Sequence, residues 1–174
     1  ESDTTETRFT PSESPTGLHR TPRELASKDA VTLDAFGGRI SWQKGILQAG
    51  VTGYSTRYSS PIPSGDALYQ KYYFSGDQSL NLGLDYQITL RRLSLFGEAG
   101  INKDGKAGVV TGLRWDPDIR TTLALLYRNY DKAFSSPLGS AFGENSRNAN
   151  EQGLYAAFSF IPLHKLTLTA WSDF

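Results

Sequence analysis

Six charged side chains fall at one parity of an alternating pattern: Arg39, Asp85, Glu98, Arg114, Arg128 and Asp173. Three cations and three carboxylates can neutralise one another in a confined space, where an unpaired ion is costly. As structure they would form a charge network filling a narrow lumen. As function they would line a permeation path. Two histidines are the other residues with chemical potential. His164 is expected in a tight turn, and His19 precedes the first strand, at the opposite end. They are not expected to share a site, and neither has metal-ligand company at close spacing. With no cysteine there is no disulfide, thiolate ligand or cysteine nucleophile. No phosphate-binding loop, GxSxG elbow or EF-hand pattern occurs. The expectation is a non-catalytic protein with no metal and no cofactor.

The elements that must position the six charges are strands. From Val31 onward the period is two, and strands are predicted near 34–43, 46–58, 79–90, 93–102, 106–116, 118–130, 151–161 and 165–174. In the third, Leu80, Leu82, Leu84, Tyr86, Ile88 and Leu90 share one face. Ser79, Asn81, Gly83, Asp85, Gln87 and Thr89 share the other. A helix does not put six alternate residues on one side, whereas a strand must. Residues 1–30 read as a polar loop or tail with a short helix near 22–30. Its start is a capping box at Thr21-Pro22-Arg23-Glu24. Residues 31–174 form the strand region.

The predicted connections alternate in length. Lys44-Gly45, Arg91-Arg92, Pro117 and Leu163-His164, with their immediate neighbours, mark tight turns. The stretches Ser59 to Gln78 and Asp131 to Asn150 are long, and Asn102 to Lys106 falls on their side. A meander with tight turns at one end and long loops at the other is the pattern of outer-membrane barrels. The expected fold class is all-β: an antiparallel up-and-down meander of about eight strands. It would form a transmembrane β-barrel, complete or part of a larger one.

A soluble lipocalin-like barrel also alternates, with its apolar face inside and its charged face in water. Here the polar face is mostly Gly, Ser, Thr, Asn and Gln, with about one charge per strand. That suits a lumen better than a water-facing surface. The apolar face lacks charge through stripes such as Leu93, Leu95, Gly97, Ala99 and Ile101. Trp42 and Trp115 sit beside tight turns on the apolar parity, and Tyr127 lies toward the other rim. These three are the candidate interfacial aromatics. Trp171 departs from the pattern by falling on the lumen parity.

The long loops carry Tyr69, Tyr72, Tyr73 and Phe74 in one case, and Phe134 and Phe142 in the other. The favoured reading is small cores that order the loops. The alternative is a docking platform for a glycan or partner protein. The net charge is zero, which argues against a dedicated nucleic-acid binder. No apolar run approaches the length of about 20 residues of a membrane helix. The mean hydropathy of −0.42 looks soluble, but half of each barrel strand is polar by design. With no methionine, even at position 1, a processed or excised piece is expected, with any signal peptide outside it.

Several stretches resemble one family. They are Gly17-Leu18-His19-Arg20-Thr21-Pro22, Tyr72-Tyr73-Phe74, Leu93-Ser94-Leu95-Phe96-Gly97-Glu98, Leu126-Tyr127-Arg128-Asn129-Tyr130 and Ala141-Phe142-Gly143-Glu144. Together they look like the barrel portion of a Bacteroidetes-type outer-membrane family. Its members often carry a helix-hairpin-helix segment, similar to competence DNA-binding proteins, before the barrel. The resemblance implies an integral outer-membrane protein whose barrel is larger than this chain. It would make residues 1–20 the end of an extracellular loop and Phe174 an interior strand position. The helix-hairpin-helix part is absent, so no DNA-binding residue carries over and no nucleic acid is expected as partner of this segment. The expected partner is the lipid bilayer of a Gram-negative bacterial outer membrane. The expected function is porin-like transport or a secretion-associated barrel. The alternatives are a small closed barrel acting as a structural or adhesive anchor, and a soluble barrel binding an apolar ligand.

Overall fold

The computed structural model describes residues 31–64, 71–144 and 148–174. The helix expected near 22–30 lies outside them, as do His19 and Tyr69. Eight strands follow one another: β1 (Leu33–Lys44), β2 (Leu47–Ile62), β3 (Gly76–Leu90), β4 (Leu93–Asn102), β5 (Ala107–Asp118), β6 (Thr121–Tyr130), β7 (Glu151–Leu163) and β8 (Leu166–Asp173). Among the described residues there is no helix. The strands form one sheet in the order of the sequence, an antiparallel meander. The sheet is not closed. β1 and β8 are its two edges, and both are exposed along their whole lengths.

Four tight turns connect β1–β2, β3–β4, β5–β6 and β7–β8, at Gly45-Ile46, Arg91-Arg92, Ile119-Arg120 and His164-Lys165. The first, second and last lie at the residues the sequence pattern marks or their immediate neighbours. Left-handed backbone occurs in each, at Gly45 with φ 58°, Arg91 with φ 52° and Lys165 with φ 74°. The third is displaced by proline chemistry. Pro117 has no N–H to give a ladder, and the β5–β6 register shifts between Trp115 and Asp118 around it. The strand then continues to Asp118, whose Oδ1 accepts from Arg120 N at 2.7 Å and shapes the turn. Pro162 sits in the same kind of shift in β7, between Phe160 and Leu163.

The other connections are longer. β4–β5 closes on the Asn102 side chain, whose Oδ1 accepts from Asp104 N at 3.1 Å and Lys106 N at 2.9 Å. The β2–β3 link is shorter than the alternation predicted, because β2 runs on to Ile62 and β3 begins at Gly76.

Two compact units divide the chain. The described part of the smaller one spans 31–35, 56–64 and 71–78. Thr32 and Ser59 tie it together: Ser59 N donates to Thr32 O at 2.9 Å, and Thr32 N to Ser59 Oγ at 2.8 Å. The Tyr58 and Phe74 rings meet at 5.6 Å. The larger unit, Phe36–Ser55 with Ser79–Phe174, holds most of the sheet. In it Phe174 continues the β7–β8 ladder, exchanging backbone bonds with Leu154 at 3.0 and 3.1 Å.

A branched side chain at Gly45 has open space around it, so only the backbone conformation opposes it. Gly45→Val is expected to lower the free energy of unfolding by about 1–2 kcal/mol. A denaturant titration of both proteins measures this.

Candidate functional site

The two faces of the sheet differ in chemistry and in exposure. Cross-strand register aligns apolar residues on one face. Leu84 lies beside Ala99 and Val109, and Leu95 beside Leu113, Leu125 and Ala156. Trp115 lies beside Leu123, Phe158 and Ala170. This apolar face is the exposed one: Leu82 is 52% exposed, and Leu80 and Leu84 are similar. Their neighbours on the opposite face, Ser79 and Asn81, are only 4% exposed. A sheet built for water has the reverse arrangement.

The polar face holds two charged pairs by one device, used once in an exposed place at Arg39 and once in a buried one at Arg128. Arg39 on β1 reaches Asp85 on β3 at 2.5 Å. The pair passes over Gly50 on β2, where a Cβ would lie 2.5 Å from Arg39 Nη2 and 2.6 Å from Asp85 Oδ1. Arg128 on β6 reaches Asp173 on β8 at 2.8 Å. It passes over Gly153 on β7, where a Cβ would lie 2.6 Å from the guanidinium carbon. In both places a missing side chain on the middle strand lets an ion pair span three strands.

Arg128 is the centre of the larger cluster and is 1% exposed. Its Nε donates to Glu151 Oε1, its Nη2 lies 3.7 Å from Glu144, and the guanidinium sits over the Phe142 ring at 5.6 Å. A buried guanidinium is tolerated only with such company. Arg114 and Glu98 stand apart from these pairs. Arg114 binds Asp116 on its own strand at 3.0 Å, and Thr122 Oγ1 donates to the same carboxylate at 2.6 Å. Glu98 lies opposite Asp85 in the ladder and makes no ion pair among the described residues. The six charges thus form two bridges and two separate residues.

Residues 131–144 fold onto this polar face. Phe134 is buried, and its ring covers Gly108 and Gly100. Ser136 Oγ is 2.7 Å from Tyr54 OH, and Asn102 Nδ2 donates to Ala133 O at 3.1 Å. Tyr130 OH donates to Phe142 O at 2.7 Å, and the Phe142 ring meets Tyr155 edge-on at 5.2 Å. Phe134 and Phe142 therefore face the sheet. In the other loop Phe74 meets Tyr58, Lys71 Nζ lies 5.9 Å from the Tyr72 ring, and Tyr73 is half-buried. Trp42 and Trp115 are exposed on the apolar face beside turns. Tyr127 OH accepts from Asn129 and Gln152 toward the loop end. His164 is an exposed turn residue. Among the described residues no three His, Cys, Asp or Glu are grouped to hold a metal ion.

Glu151, Glu144 and Asp116 were not singled out from sequence. Glu151 carried a usable signal: it shares the parity of Gly153 and Tyr155 at the start of a strand. Glu144 carried none, because parity says nothing inside a loop. Neither a protein-family model nor a curated protein matches the chain.

Arg128→Met is expected to cost about 3–5 kcal/mol, since it strands the carboxylates of Glu151 and Asp173. Adding Glu151→Gln to that variant should recover part of the loss. Equilibrium unfolding of the wild type, the single and the double variant measures both effects.

Proposed function

We propose that the chain is the membrane-spanning sheet of a Gram-negative outer-membrane β-barrel, serving transport or secretion without catalysis. One observation carries this reading: large apolar side chains are exposed on the face opposite buried Ser79, Asn81 and Arg128. Water disfavours that arrangement, whereas a hydrocarbon exterior with a polar interior requires it. Strand lengths agree, since a crossing strand needs about 9–11 residues. β4 and β6 have ten residues each, and β5 has twelve. The same observation opposes a soluble barrel with an apolar interior.

Hydrocarbon cannot satisfy the backbone groups of an open edge. β1 and β8 must therefore pair in the membrane, with each other or with further strands. A second reading, a filled barrel acting as an anchor, is favoured by the segment 131–144. Its Phe134 and Ser136 occupy the polar face where a conduit would run.

Three outcomes follow. The purified chain should stay monodisperse only with detergent or lipid; a stable monodisperse chain in buffer alone would sink the membrane reading. Leu82→Arg should destabilise the lipid-embedded protein by about 2–4 kcal/mol, as charge on the lipid face does. Its neighbour on the other face supplies the control. Gly83→Ser adds a small polar group where a Cβ finds only contacts of 3.8 Å or more, so it should be nearly neutral. Planar-bilayer conductance separates conduit from anchor, and a silent inserted protein favours the anchor.

A further inference from the structure

The turn end of the sheet carries an excess of positive charge. Lys44 flanks the first turn, Arg91 and Arg92 form the second, Arg120 lies in the third and Lys165 in the fourth. All five are exposed. Two carboxylates share this end, and both are already engaged. Asp116 takes Arg114 and Thr122, while Asp118 takes Arg120 N and the Thr121 hydroxyl. Among the described residues, Lys44, Arg91, Arg120 and Lys165 make no ion pair.

The loop end of the larger unit is balanced. There Lys103, Lys106 and Lys132 stand with Asp104, Asp131 and Glu144. Among the described residues of the larger unit, unbalanced positive charge is therefore gathered at the turn end.

Tryptophan marks where that charge lies relative to the apolar face. Trp115 is opposite Leu93, next to the Arg91-Arg92 turn, and Trp42 is two residues before Lys44. Both indoles are exposed on the apolar side. Passing outward along the sheet, indoles and then cations join the aliphatic side chains, of which Ile46 and Ile119 stand exposed in the turns themselves. A leaflet has the same order: hydrocarbon, interface, headgroup. Long cationic side chains keep their stems on the apolar side and their heads in the polar layer.

We propose that this rim docks on anionic phospholipid headgroups, anchoring the turn end of the barrel in its leaflet. Headgroup phosphates supply the opposite charge that the protein does not. The proposal rests on the membrane reading above and names the surface chemistry that reading leaves open.

The test uses the full chain and two kinds of vesicle, neutral phosphatidylcholine and phosphatidylcholine with phosphatidylglycerol. The variant combines Lys44→Gln, Arg91→Asn, Arg120→Gln and Lys165→Asn. Asparagine is chosen at 91 and 165 because it tolerates their positive φ. Protease protection reads insertion, and co-sedimentation reads affinity. The wild type should enter both vesicles and bind the anionic ones at least about tenfold more tightly at low salt, an advantage that high salt removes. The variant should enter neutral vesicles like the wild type and lose the anionic preference. Equal binding of the wild type to both vesicles overturns the proposal and leaves the membrane reading standing. A preference unchanged in the variant does the same. If the wild type enters neither vesicle, the membrane reading fails and takes this proposal with it.

Discussion

The structure depends on one constraint: the side of the sheet that is shielded is the polar side. Every other feature answers to it. Shielded hydroxyls, amides and guanidinium groups need partners inside the protein, because no bulk water is there to supply them. Asn81 donates to Ser79 at 2.7 Å, and Arg128 draws three carboxylates around it, whereas Asn81 Oδ1 and Thr56 Oγ1 have no hydrogen-bond partner among the described residues. Glycines at 50 and 153 open the space for the two long bridges. On the other face, uncharged Leu, Val and Phe stand exposed with nothing of their own to cover them.

The segment 131–144 shows how far that constraint reaches. It leaves β6 at Asp131 and places the Phe134 ring over two glycines of β4 and β5. Polar anchors from three strands hold it: Tyr54 from β2, Asn102 from β4 and Tyr130 from β6. The polar face thus recruits a loop to finish its own burial. The two edges are the reverse case. Gly37 and Gly38 on β1, and the exposed indole of Trp171 on β8, have neighbours on one side only.

Much of this was readable in the sequence, and the reasons are specific. Six alternate apolar residues in β3 leave no helical reading, so strand number and order follow from parity and turn spacing. Boundaries were less readable. Pro117 signals a break in the ladder, and it marks a bulge two residues before the turn rather than the turn itself. Parity also found Arg39, Asp85, Arg128 and Asp173, yet it did not reveal their pairing. That depends on Gly50 and Gly153, each on the strand between two partners that lie two strands apart. The role of Glu144 depends on how a loop folds back, which no periodicity encodes.

Lipid contact on the apolar face is the central claim, and a nitroxide scan along β3 tests it most directly. Spin labels placed one at a time from Leu80 to Ile88 would be read in vesicles against oxygen, which partitions into hydrocarbon, and against a water-soluble nickel complex. The account predicts a period of two, with oxygen reaching positions 82, 84 and 88 and nickel excluded from them. Nickel reaching those positions as readily as oxygen, or no alternation at all, would contradict it.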